Sequence, residues 1–523
     1  MSTPIIGIDL GTTNSVVSVC DEQGTTRVLA DKAGAKIQPS VVAFPPNGKV
    51  LVGTAAKERK VIDPQNTIYS VKRLMGRTSQ SKEVVGIRKR VPYRISEGDN
   101  QQPIIKTRAG DFAPSDISAI ILDHMRNLAA HQLAGEVSQS LDRAVVTVPA
   151  NFNEAQRSAT ATAGAIAGLT VVRVLNEPTA AAIAYGAKKK LKRVIAVYDF
   201  GGGTFDISIL KLDGDVFEVV GTAGDTMLGG DDIDERIVET MRRQFLAQNR
   251  VDLRTDPQAM MRLRQLAENL KIELSRTVRS RAKLDEIAYG PGGKHLTLEA
   301  DMRREEFEAH IGDLVDRTFP VCQEALNLAQ LGKDGITDVV LVGGTSRIPM
   351  VRARVAQFFE QEPRTDVNPD EAVAVGAGIT AETMRKVLDG ASASVTVPAM
   401  VEADDTLNSD QTLDIDTLQP TEILPPPVPG RRTMQGHAPV LPTSDADERT
   451  QQNKAALARI EVKRATSAEV TYRDIAEVSR DGAIKQPIAS GSRPLTADDT
   501  LDVLTSPRSR GPSIFDVTPH SLG

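Results

Sequence analysis

The sequence predicts an α/β protein of two duplicated lobes around a cleft, followed by a largely disordered tail. Three observations support this prediction. Residues 194–210, VIAVYDFGGGTFDISIL, show the pattern of a strand, a glycine turn and a second strand. Residues 5–19, IIGIDLGTTNSVVSV, repeat that pattern, and repetition indicates a duplicated domain. Residues 389–511 are rich in Pro, Thr, Ser and Asp, a composition that cannot bury enough apolar surface to fold.

The glycine turn at 201–203 predicts an anion site. Glycine reaches positive φ readily and lets a ligand contact the main chain, and consecutive N–H groups form a nest for an anion. Asp199 and Asp206 stand at the two ends of this turn. Carboxylates beside an anion nest need a cation, and Mg²⁺ bound largely through water is the natural candidate. The alternative is a plain hairpin with a flexible tip.

The N-terminal turn carries a similar set of residues. Asp9, Gly11, Thr12, Thr13 and Asn14 occupy its tip. If the two lobes face each other, the two turns close around one polyphosphate from opposite sides. The pair of turns is more specific than either turn alone, because a glycine-rich pattern is weak evidence by itself.

Composition and charge exclude several classes of protein. A chain of 523 residues holds roughly three domains, and its net charge of −6 offers no basic surface for nucleic acid. Cys20 and Cys322 are far apart and indicate neither a disulfide framework nor a zinc site. We expect no signal peptide, because Gly7, Asp9 and Gly11 interrupt the N-terminal apolar run, and no apolar run reaches the ~20 residues that span a bilayer. A cytoplasmic protein without membrane or nucleic-acid partners is expected.

Two segments between the turns contain charged residues that are candidates for a functional site. In YSVKRLMGR, Lys72 and Arg73 lie among apolar residues, a pattern that fits either a cleft or a solvated basic helix face. Glu177 follows a predicted strand at 171–175 and stands at a strand-to-helix corner. An acid at such a corner is a site candidate, and a surface glutamate is the alternative.

Further turns are predicted in the second half of the chain. Residues 221–234, GTAGDTMLGGDDID, read as a glycine-rich turn that leads into a helix, and residues 283–302 read as a hairpin. Residues 339–348, VVLVGGTSRI, read as a buried strand, a glycine turn and the start of a helix. Open α/β sheets bind ligands at the carboxyl ends of their strands, so this last turn is also a site candidate.

Two helices carry specific expectations. The periodicity predicts a helix at 114–133 with Ser115 as its N-cap. On a later helix, Glu268, Lys271 and Ser275 are three and four residues apart and therefore share one face. They suit a ligand contact, or else an ion pair beside a surface serine.

Taken in order, these segments resemble the nucleotide-binding domain of the seventy-kilodalton heat-shock chaperones of DnaK type, from residue 4 to about residue 388. The resemblance is carried by IGIDLGTTNS, YSVKRLMGR, VPANFNEAQR, NEPTAAAIAYG, YDFGGGTFDISIL, GDTMLGGDDID, ENLKIELS, VGGTSRIPMV and NPDEAVAVGAG. It implies the actin-like ATPase fold within residues 1–388, with lobe I at about 1–190 and lobe II at about 191–388 around an ATP cleft.

The resemblance also implies roles for individual residues. The catalytic set would be Asp9, Lys72, Glu177, Asp199, Thr204 and Asp206, whose four carboxylates would hold hydrated Mg²⁺ with flanking K⁺. Contacts to ATP or ADP would come from Gly11, Thr12, Thr13, Asn14, Gly201, Gly202, Gly203, Thr204, Gly229, Gly230, Glu268, Lys271, Ser275, Gly343, Gly344, Thr345, Arg347, Ile348 and Asp370. Lys72 would reach the γ-phosphate and help place the attacking water, and Pro149 with Arg157 would relay its presence outward.

The activity implied is a slow ATP hydrolysis that times lobe closure and partner binding. Its partners would be a J-domain co-chaperone, a nucleotide-exchange factor and, only if a peptide-binding domain is supplied, client polypeptides. A second hypothesis is a nucleotide-gated scaffold with little turnover that recruits partners through its tail. A sugar or acetate kinase of the same fold is the least favoured reading, because it requires a metabolite site and a base.

The tail departs from the family pattern. Low-complexity residues 389–511 intervene, with a transient helix predicted at 454–478 and the sequence ADDTL occurring twice. Residues 512–523 then resemble the family's interdomain linker and the beginning of a peptide-binding domain, so we expect either a fragment or a module without its own client site. The linker's apolar run is reduced to Ile514 and Phe515, and its docking, which in the family involves Arg173, is left open.

Overall fold

The computed structural model describes residues 3–134, 141–186, 192–214, 216–364, 368–390 and the backbone of Ser513–Phe515. Nearly all of the predicted low-complexity segment lies outside these ranges, together with the predicted helix at 454–478 and both ADDTL sequences. Among the described residues, we find no helix with both the length and the apolar character needed to traverse a bilayer.

The described part of lobe I is a six-stranded main sheet with two small accessory sheets and helices on its faces. Its strands are β1 Ile6–Leu10, β2 Asn14–Cys20, β3 Thr26–Val28, β4 Gln38–Pro39, β5 Val42–Ala43, β6 Leu51–Val52, β7 Thr67–Ile68, β8 Arg94–Glu97, β9 Pro103–Thr107, β10 Gly110–Phe112, β11 Arg143–Val148 and β12 Thr170–Asn176. Its helices are α1 Thr54–Ile62, α2 Lys82–Arg88, α3 Pro114–Gln132, α4 Glu154–Ile166 and α5 Glu177–Gly186.

Lobe II repeats this plan around a second sheet. Its strands are β13 Lys192–Phe200, β14 Phe205–Asp213, β15 Val216–Asp225, β16 Arg279–Tyr289, β17 His295–Arg303, β18 Asp338–Val342 and, from the tail, β19 Ser513–Phe515. Its helices are α6 Gly230–Asn249, α7 Pro257–Leu274, α8 Arg304–Asp316, α9 Thr318–Leu328, α10 Pro349–Phe359 and α11 Ala372–Leu388.

The sheet topology confirms the predicted duplication. In lobe I, β1, β2 and β3 form an antiparallel meander, and β11 pairs parallel to β1 on its other side. In lobe II, β13, β14 and β15 form the same meander, and β18 pairs parallel to β13. Each predicted turn therefore connects the first two strands of a meander, at the end of the sheet where ligands bind in α/β folds.

Small residues join the two lobes at the base of the cleft. A Cβ on Gly376 of α11 would lie 1.8 Å from the Ala180 carbonyl oxygen of α5, so these two helices cross with their backbones in contact. Gly7 of β1 approaches Gly378 of α11 equally closely, where a Cβ would lie 2.2 Å from the Gly378 nitrogen. Helix α11, which the sequence assigns to lobe II, thus also packs on the sheet of lobe I.

Two local predictions are wrong. Helix α3 begins at Pro114 with Ala113 as its N-cap, and Asp116 accepts a hydrogen bond from the Ala113 N–H at 2.8 Å, so the aspartate replaces Ser115 in satisfying the first turn. The predicted glycine-rich turn at 221–234 is shorter than expected, since its first five residues continue strand β15. Alternating burial along β15 explains why those residues pair.

The tail returns to the lobe II sheet. The backbone of β19 pairs parallel to the edge strand β15, with Ser513 opposite Val216 and Phe515 opposite Glu218. An edge strand carries unpaired N–H and C=O groups that a further strand satisfies. The segment resembling the family linker therefore extends the sheet of lobe II by one strand.

Candidate functional site

The two predicted turns meet across the cleft. A Cβ on Gly202 would lie 2.0 Å from Thr13 Oγ1, and a Cβ on Gly203 would lie 2.5 Å from Thr12 Cγ2. Glycine is required here by this close approach. The freedom to adopt positive φ is not used, since none of the glycines at 201–203 has a positive φ.

The glycine turn is held by its own residues and by helix α6. The Gly201 N–H donates to the Thr204 carbonyl at 3.1 Å, which closes the turn. The first N–H groups of α6 donate to the turn, from Gly230 to the Gly201 carbonyl at 3.0 Å and from Asp231 to the Gly202 carbonyl at 2.8 Å. Because the carbonyls are bound from behind, the N–H groups at the tip are left for an anion.

Four carboxylates converge beside these turns. Asp9 lies in β1 and accepts a hydrogen bond from Thr147 Oγ1 at 3.0 Å. Asp199 and Asp206 are direct cross-strand partners in the β13–β14 hairpin. Glu177, the first residue of α5, completes the cluster. The alternative of a surface glutamate is wrong, because Glu177 is buried within this group.

Burial and repulsion by neighbouring carboxylates raise the pKa values of Asp9, Asp199 and Asp206. Burial raises the pKa of Asp9 to about 7, and the charge of Glu177 adds to the shift. Burial also raises the pKa of Asp206 to about 7, again with help from Glu177. The pKa of Asp199 is raised well above its ordinary value, first by burial and then by Glu177. A cation at this cluster would favour the charged carboxylates and displace their protons.

Lys72 and Arg73 face the cleft, so the alternative of a solvated helix face is wrong. Both lie in the 3₁₀ turn Val71–Leu74 and are only 5% and 6% exposed. Lys72 Nζ donates to Glu177 Oε1, and the Arg73 guanidinium donates to the Gly203 carbonyl. One lysine therefore stands against the four carboxylates while its neighbour links lobe I to the glycine turn.

Most of the predicted phosphate and metal residues line one cavity with an enclosed volume of about 100 Å³. It is lined by Asp9, Gly11, Thr12, Thr13, Asn14, Lys72, Glu177, Asp199, Gly201, Gly202, Gly203, Thr204, Gly343, Gly344 and Asp370, with Pro149 also in the wall. The structure therefore brings together both turns, the lysine and three of the four carboxylates.

A neighbouring cavity with an enclosed volume of about 170 Å³ gathers most of the residues predicted to contact ribose and adenine, whereas Glu268 lines a different cavity between the lobes. Its walls include Lys271, Ser275, Gly344, Thr345, Arg347 and Ile348. Lys271 Nζ donates to Asp234 Oδ2 at 2.8 Å, and although burial opposes its charge, this aspartate raises the pKa of the lysine. Glu268 instead accepts from Lys57 of lobe I at 2.7 Å, so the ion pair suggested within helix α7 does not form.

The third glycine turn connects these two cavities. Gly343 has a φ of 81°, and a Cβ there would lie 2.7 Å from Asp199 Oδ1. The turn therefore contacts the carboxylate cluster on one side. On the other side Arg347 Nε donates to Asp370 Oδ2 at 2.8 Å and Arg347 also donates to Asn368 at 2.7 Å, which orders the wall predicted to face the base.

Three predicted site residues lie behind the cavity walls. A Cβ on Gly229 would lie 2.5 Å from the Gly202 carbonyl oxygen, and a Cβ on Gly230 would lie 2.7 Å from Thr345 Oγ1. Asp206 is 2% exposed beneath the turn. These residues support the turn, and neither oxygen of Asp206 has a hydrogen-bond partner among the described residues.

Sequence reasoning missed several residues of the cleft. A cavity between the lobes, with an enclosed volume of about 120 Å³, is lined in part by Lys57, Lys60, Tyr69 and Asp234. Lys60 Nζ lies 4.1 Å from the centroid of the Tyr69 ring. The charges of α1 look like those of a solvated helix in the sequence, so nothing there indicated a cleft. Asp234 stands within the GGDDID motif, and its spacing from the glycines was an available signal.

The chemistry of the donors fits a hydrated cation. Within the described ranges, no three Asp, Glu, His or Cys side chains are arranged to ligate a metal directly. Both oxygens of the buried Asp206 and the buried Thr13 hydroxyl nevertheless have no partner in the part of the chain that the structure describes. Mg²⁺ keeps several of its waters in proteins and reaches carboxylates through them.

Two duplicated lobes, facing glycine turns and a buried carboxylate cluster define an ATPase of the actin-like fold. The family model described as Hsp70 protein matches residues 5–397 of the 523. The chain therefore belongs to the Hsp70 family, whose members are ATP-binding chaperones with ATPase activity, bind ATP or ADP with Mg²⁺ and typically work with J-domain proteins and nucleotide-exchange factors.

Proposed function

We propose that this chain is a slow ATPase module of DnaK type, in which the bound nucleotide sets lobe closure and partner binding. The observation that supports this most is the contact between the two turns. Thr13 brings a buried hydroxyl without a partner in the described structure to the tip of the glycine turn. Four carboxylates and Lys72 stand beside it, which is the donor set for a phosphate chain with its cation.

The phosphate end of the site acts mainly by positioning. Phosphoryl transfer depends on alignment and on stabilisation of charge, and both turns present N–H or hydroxyl donors for the β- and γ-phosphates. Lys72 holds the γ-phosphate and the attacking water in this proposal, and Thr204 lies next to them. Turnover is slow because the site offers no strong general base.

Asp9, Glu177, Asp199 and Asp206 would hold the cation through its waters, with K⁺ at the flanks. Bound Mg²⁺ would neutralise charge on the phosphate oxygens. The carboxylates' own task is to give up their protons and to orient those waters. The raised pKa values of Asp9, Asp199 and Asp206 mean that loss of their protons is easier at higher pH.

The part of the site proposed to bind the nucleoside holds the ribose and the base of the ligand. Glu268, Lys271 and Ser275 grip ribose and adenine in this proposal, and the Arg347–Asp370 pair closes over the base. Outward signalling runs from Pro149, in the wall of the phosphate cavity, to Arg157. Arg157 donates to the Phe152 carbonyl at 3.1 Å, which fixes the loop after Pro149.

The partners we propose are a J-domain protein that accelerates cleavage and a factor that exchanges ADP. Client polypeptides would engage only through a peptide-binding domain. The working compartment would be the cytoplasm.

Single-turnover cleavage of ATP by the full chain tests this proposal. With Mg²⁺ and K⁺ present, a J-domain protein should accelerate cleavage several-fold. Lys72→Ala should slow cleavage by about a hundredfold, the usual cost of one donor to a charged transition state, whereas the exposed Lys49→Ala should not. Slow cleavage that neither the J-domain protein nor Lys72→Ala affects would favour the nucleotide-gated scaffold.

A further inference from the structure

A second cavity adjoins the phosphate end of the site. It shares Thr12, Lys72, Pro149 and Thr204 with the cavity beside the carboxylates, and its enclosed volume of about 10 Å³ holds about one water molecule, so a larger anion passes only when its walls move apart. From the buried Lys72 and Pro149 it extends to Arg77, Glu83 and Thr226, which are partly exposed. The two cavities thus meet at the residues proposed to hold the γ-phosphate, and the smaller one leads from them towards the surface.

Three N–H donors in the wall of this cavity have no acceptor. Arg73 Nε, Arg77 Nε and Gln156 Nε2 are all buried and have no hydrogen-bond partner among the described residues. An unsatisfied buried donor costs about 1–3 kcal/mol, and native proteins contain few of them. Three around one small cavity require an acceptor in that space, a role that one water molecule or an oxygen of a passing anion fills.

The orientation of Gln156 is fixed by the fold. Its Oε1 accepts the Asn153 N–H at 3.2 Å, where the two residues form the capping box of α4. The amide nitrogen is therefore the group left without a partner. Gln156 is only 4% exposed, and Gly76 packs so tightly on it that a Cβ would lie 2.6 Å from its backbone nitrogen. This contact places the turn before Arg77 against α4.

The two arginines close the cavity in different ways. Arg73 is anchored by the Gly203 carbonyl and reaches Asp232 at 3.4 Å, so it is fixed at the inner end. Arg77 pairs with Glu83 at 2.9 Å, and their side chains are 18% and 26% exposed. A partly exposed ion pair contributes little to stability and opens at little cost, so it makes a suitable gate at the outer end.

We propose that this cavity is the route by which inorganic phosphate leaves after ATP cleavage, and that the donors of Arg73, Arg77 and Gln156 bind the anion on its way. The inference rests on the proposed ATPase function. Cleavage breaks the bond between the γ-phosphorus and the β–γ bridging oxygen, water supplies the new oxygen, and a proton goes to solvent. The phosphate formed beside Lys72 and Thr204 then leaves without passing ADP.

Two substitutions test the route in the full chain. Gln156→Glu keeps the acceptor that caps α4 and replaces the free donor with a negative charge. Arg77→Gln removes the charge at the outer end. Arg88→Gln is the matched control, because Arg88 lies nearby on α2 and does not line the cavity. Thermal melts and ADP binding establish that each variant is folded.

Cleavage is measured by quench-flow, and phosphate release by a fluorescent phosphate sensor. Gln156→Glu and Arg77→Gln should leave cleavage unchanged and slow release by about tenfold, the order expected from one lost hydrogen bond to a charged group. A second arm uses ADP and radiolabelled inorganic phosphate. A substitution on the route should slow the uptake and the loss of phosphate by the same factor. The affinity of the ADP-bound chain for phosphate should change little.

The outcomes separate the two proposals. Normal cleavage with unchanged release in both variants would place the exit elsewhere and overturn the inference. A parent chain that cleaves no ATP would remove the ATPase proposal, and the exchange arm would still decide the route. If the ADP-bound parent takes up no phosphate, or if all three variants exchange it at the parent rate, the route is rejected.

Discussion

Lys57 Nζ of helix α1 donates to Glu268 Oε1 of helix α7 at 2.7 Å, and this ion pair connects the two lobes across the cleft. The side chains are 28% and 22% exposed. Burial alone would raise the pKa of Glu268, but the charge and hydrogen bond of Lys57, together with the charges of Lys60 and Lys271, outweigh burial and hold that pKa below its ordinary value. The carboxylate proposed to bind ribose is thus also part of the contact that keeps the lobes closed.

Replacing Lys57 should therefore speed nucleotide release. Lys57→Ala removes one partly buried pair, worth about 1 kcal/mol after solvent screening, so ADP should dissociate about fivefold faster while the melting temperature changes little. Stopped-flow displacement of a fluorescent ADP measures the rate. Lys49→Ala is the control for losing a lysine elsewhere, and an unchanged rate in Lys57→Ala would show that the pair does not limit opening.

The two adjacent glycines of the lobe II turn should differ in their tolerance of a methyl group. A Cβ on Gly202 would lie 2.0 Å from Thr13 Oγ1, whereas a Cβ on Gly201 meets only ordinary contacts at 3.6 Å or more. Gly202→Ala should therefore weaken ATP binding by at least about a hundredfold, equivalent to some 3 kcal/mol, and much more than Gly201→Ala does. Calorimetric titration of both variants checks the difference, and equal losses would contradict the close approach of the turns.

The carboxylate cluster predicts a specific pH dependence. Asp9 and Asp206 hold protons up to about pH 7 in the folded chain, against an ordinary value of 3.8. The folded state therefore binds more protons than the unfolded state between these limits, so the cluster's contribution to the free energy of unfolding falls as pH rises through them.

Bound Mg²⁺ with ADP should relieve this loss, because the cation replaces the protons. The rise in melting temperature on adding both should be larger at about pH 8 than at about pH 6. Thermal melts in the presence of ADP and a chelator that removes Mg²⁺ provide the control. An equal rise at both pH values would show that the cluster does not exchange protons for a cation.

Asp206 should lower the stability of the nucleotide-free chain and favour binding of the cation and nucleotide. Its carboxylate is buried without a hydrogen-bond partner in the described structure, and an isolated buried charge is costly. At about pH 8, Asp206→Asn should stabilise the nucleotide-free chain by about 1–2 kcal/mol and weaken Mg²⁺-dependent ADP binding. Asp225→Asn, which removes an ion pair to Arg317, should not stabilise the chain. Denaturant unfolding that shows Asp206→Asn to be less stable than the parent would contradict this account.

The pairing of β19 with β15 can be tested by hydrogen exchange. Ile514→Pro removes a backbone N–H from the added strand, so the amides of Val216, Phe217 and Glu218, which face that strand, should exchange faster. Val503→Pro, in the preceding segment, is the control. Unchanged protection of β15 in Ile514→Pro would show that the edge strand is not covered by the tail.

Sequence patterns predicted the two hairpins because strand alternation and glycine turns are local properties. They also predicted most of the lining residues, since Asp9, Thr13, Asp199 and Gly202 all belong to those hairpins. The N-cap of α3 was missed because Asp116 satisfies the first turn from within the helix. The start of the turn after β15 was missed because β14 pairs with residues that look like loop.

By itself, the sequence determined the duplicated fold, the two turns and the family, because these depend on short runs whose meaning does not change with their surroundings. Only the tertiary structure decided that Lys57 faces Glu268, that Lys271 pairs with Asp234 and that unpaired donors surround a second cavity. Each of these depends on which groups from distant segments share a buried space. Burial makes a missing partner costly, and the sequence does not show where that burial falls.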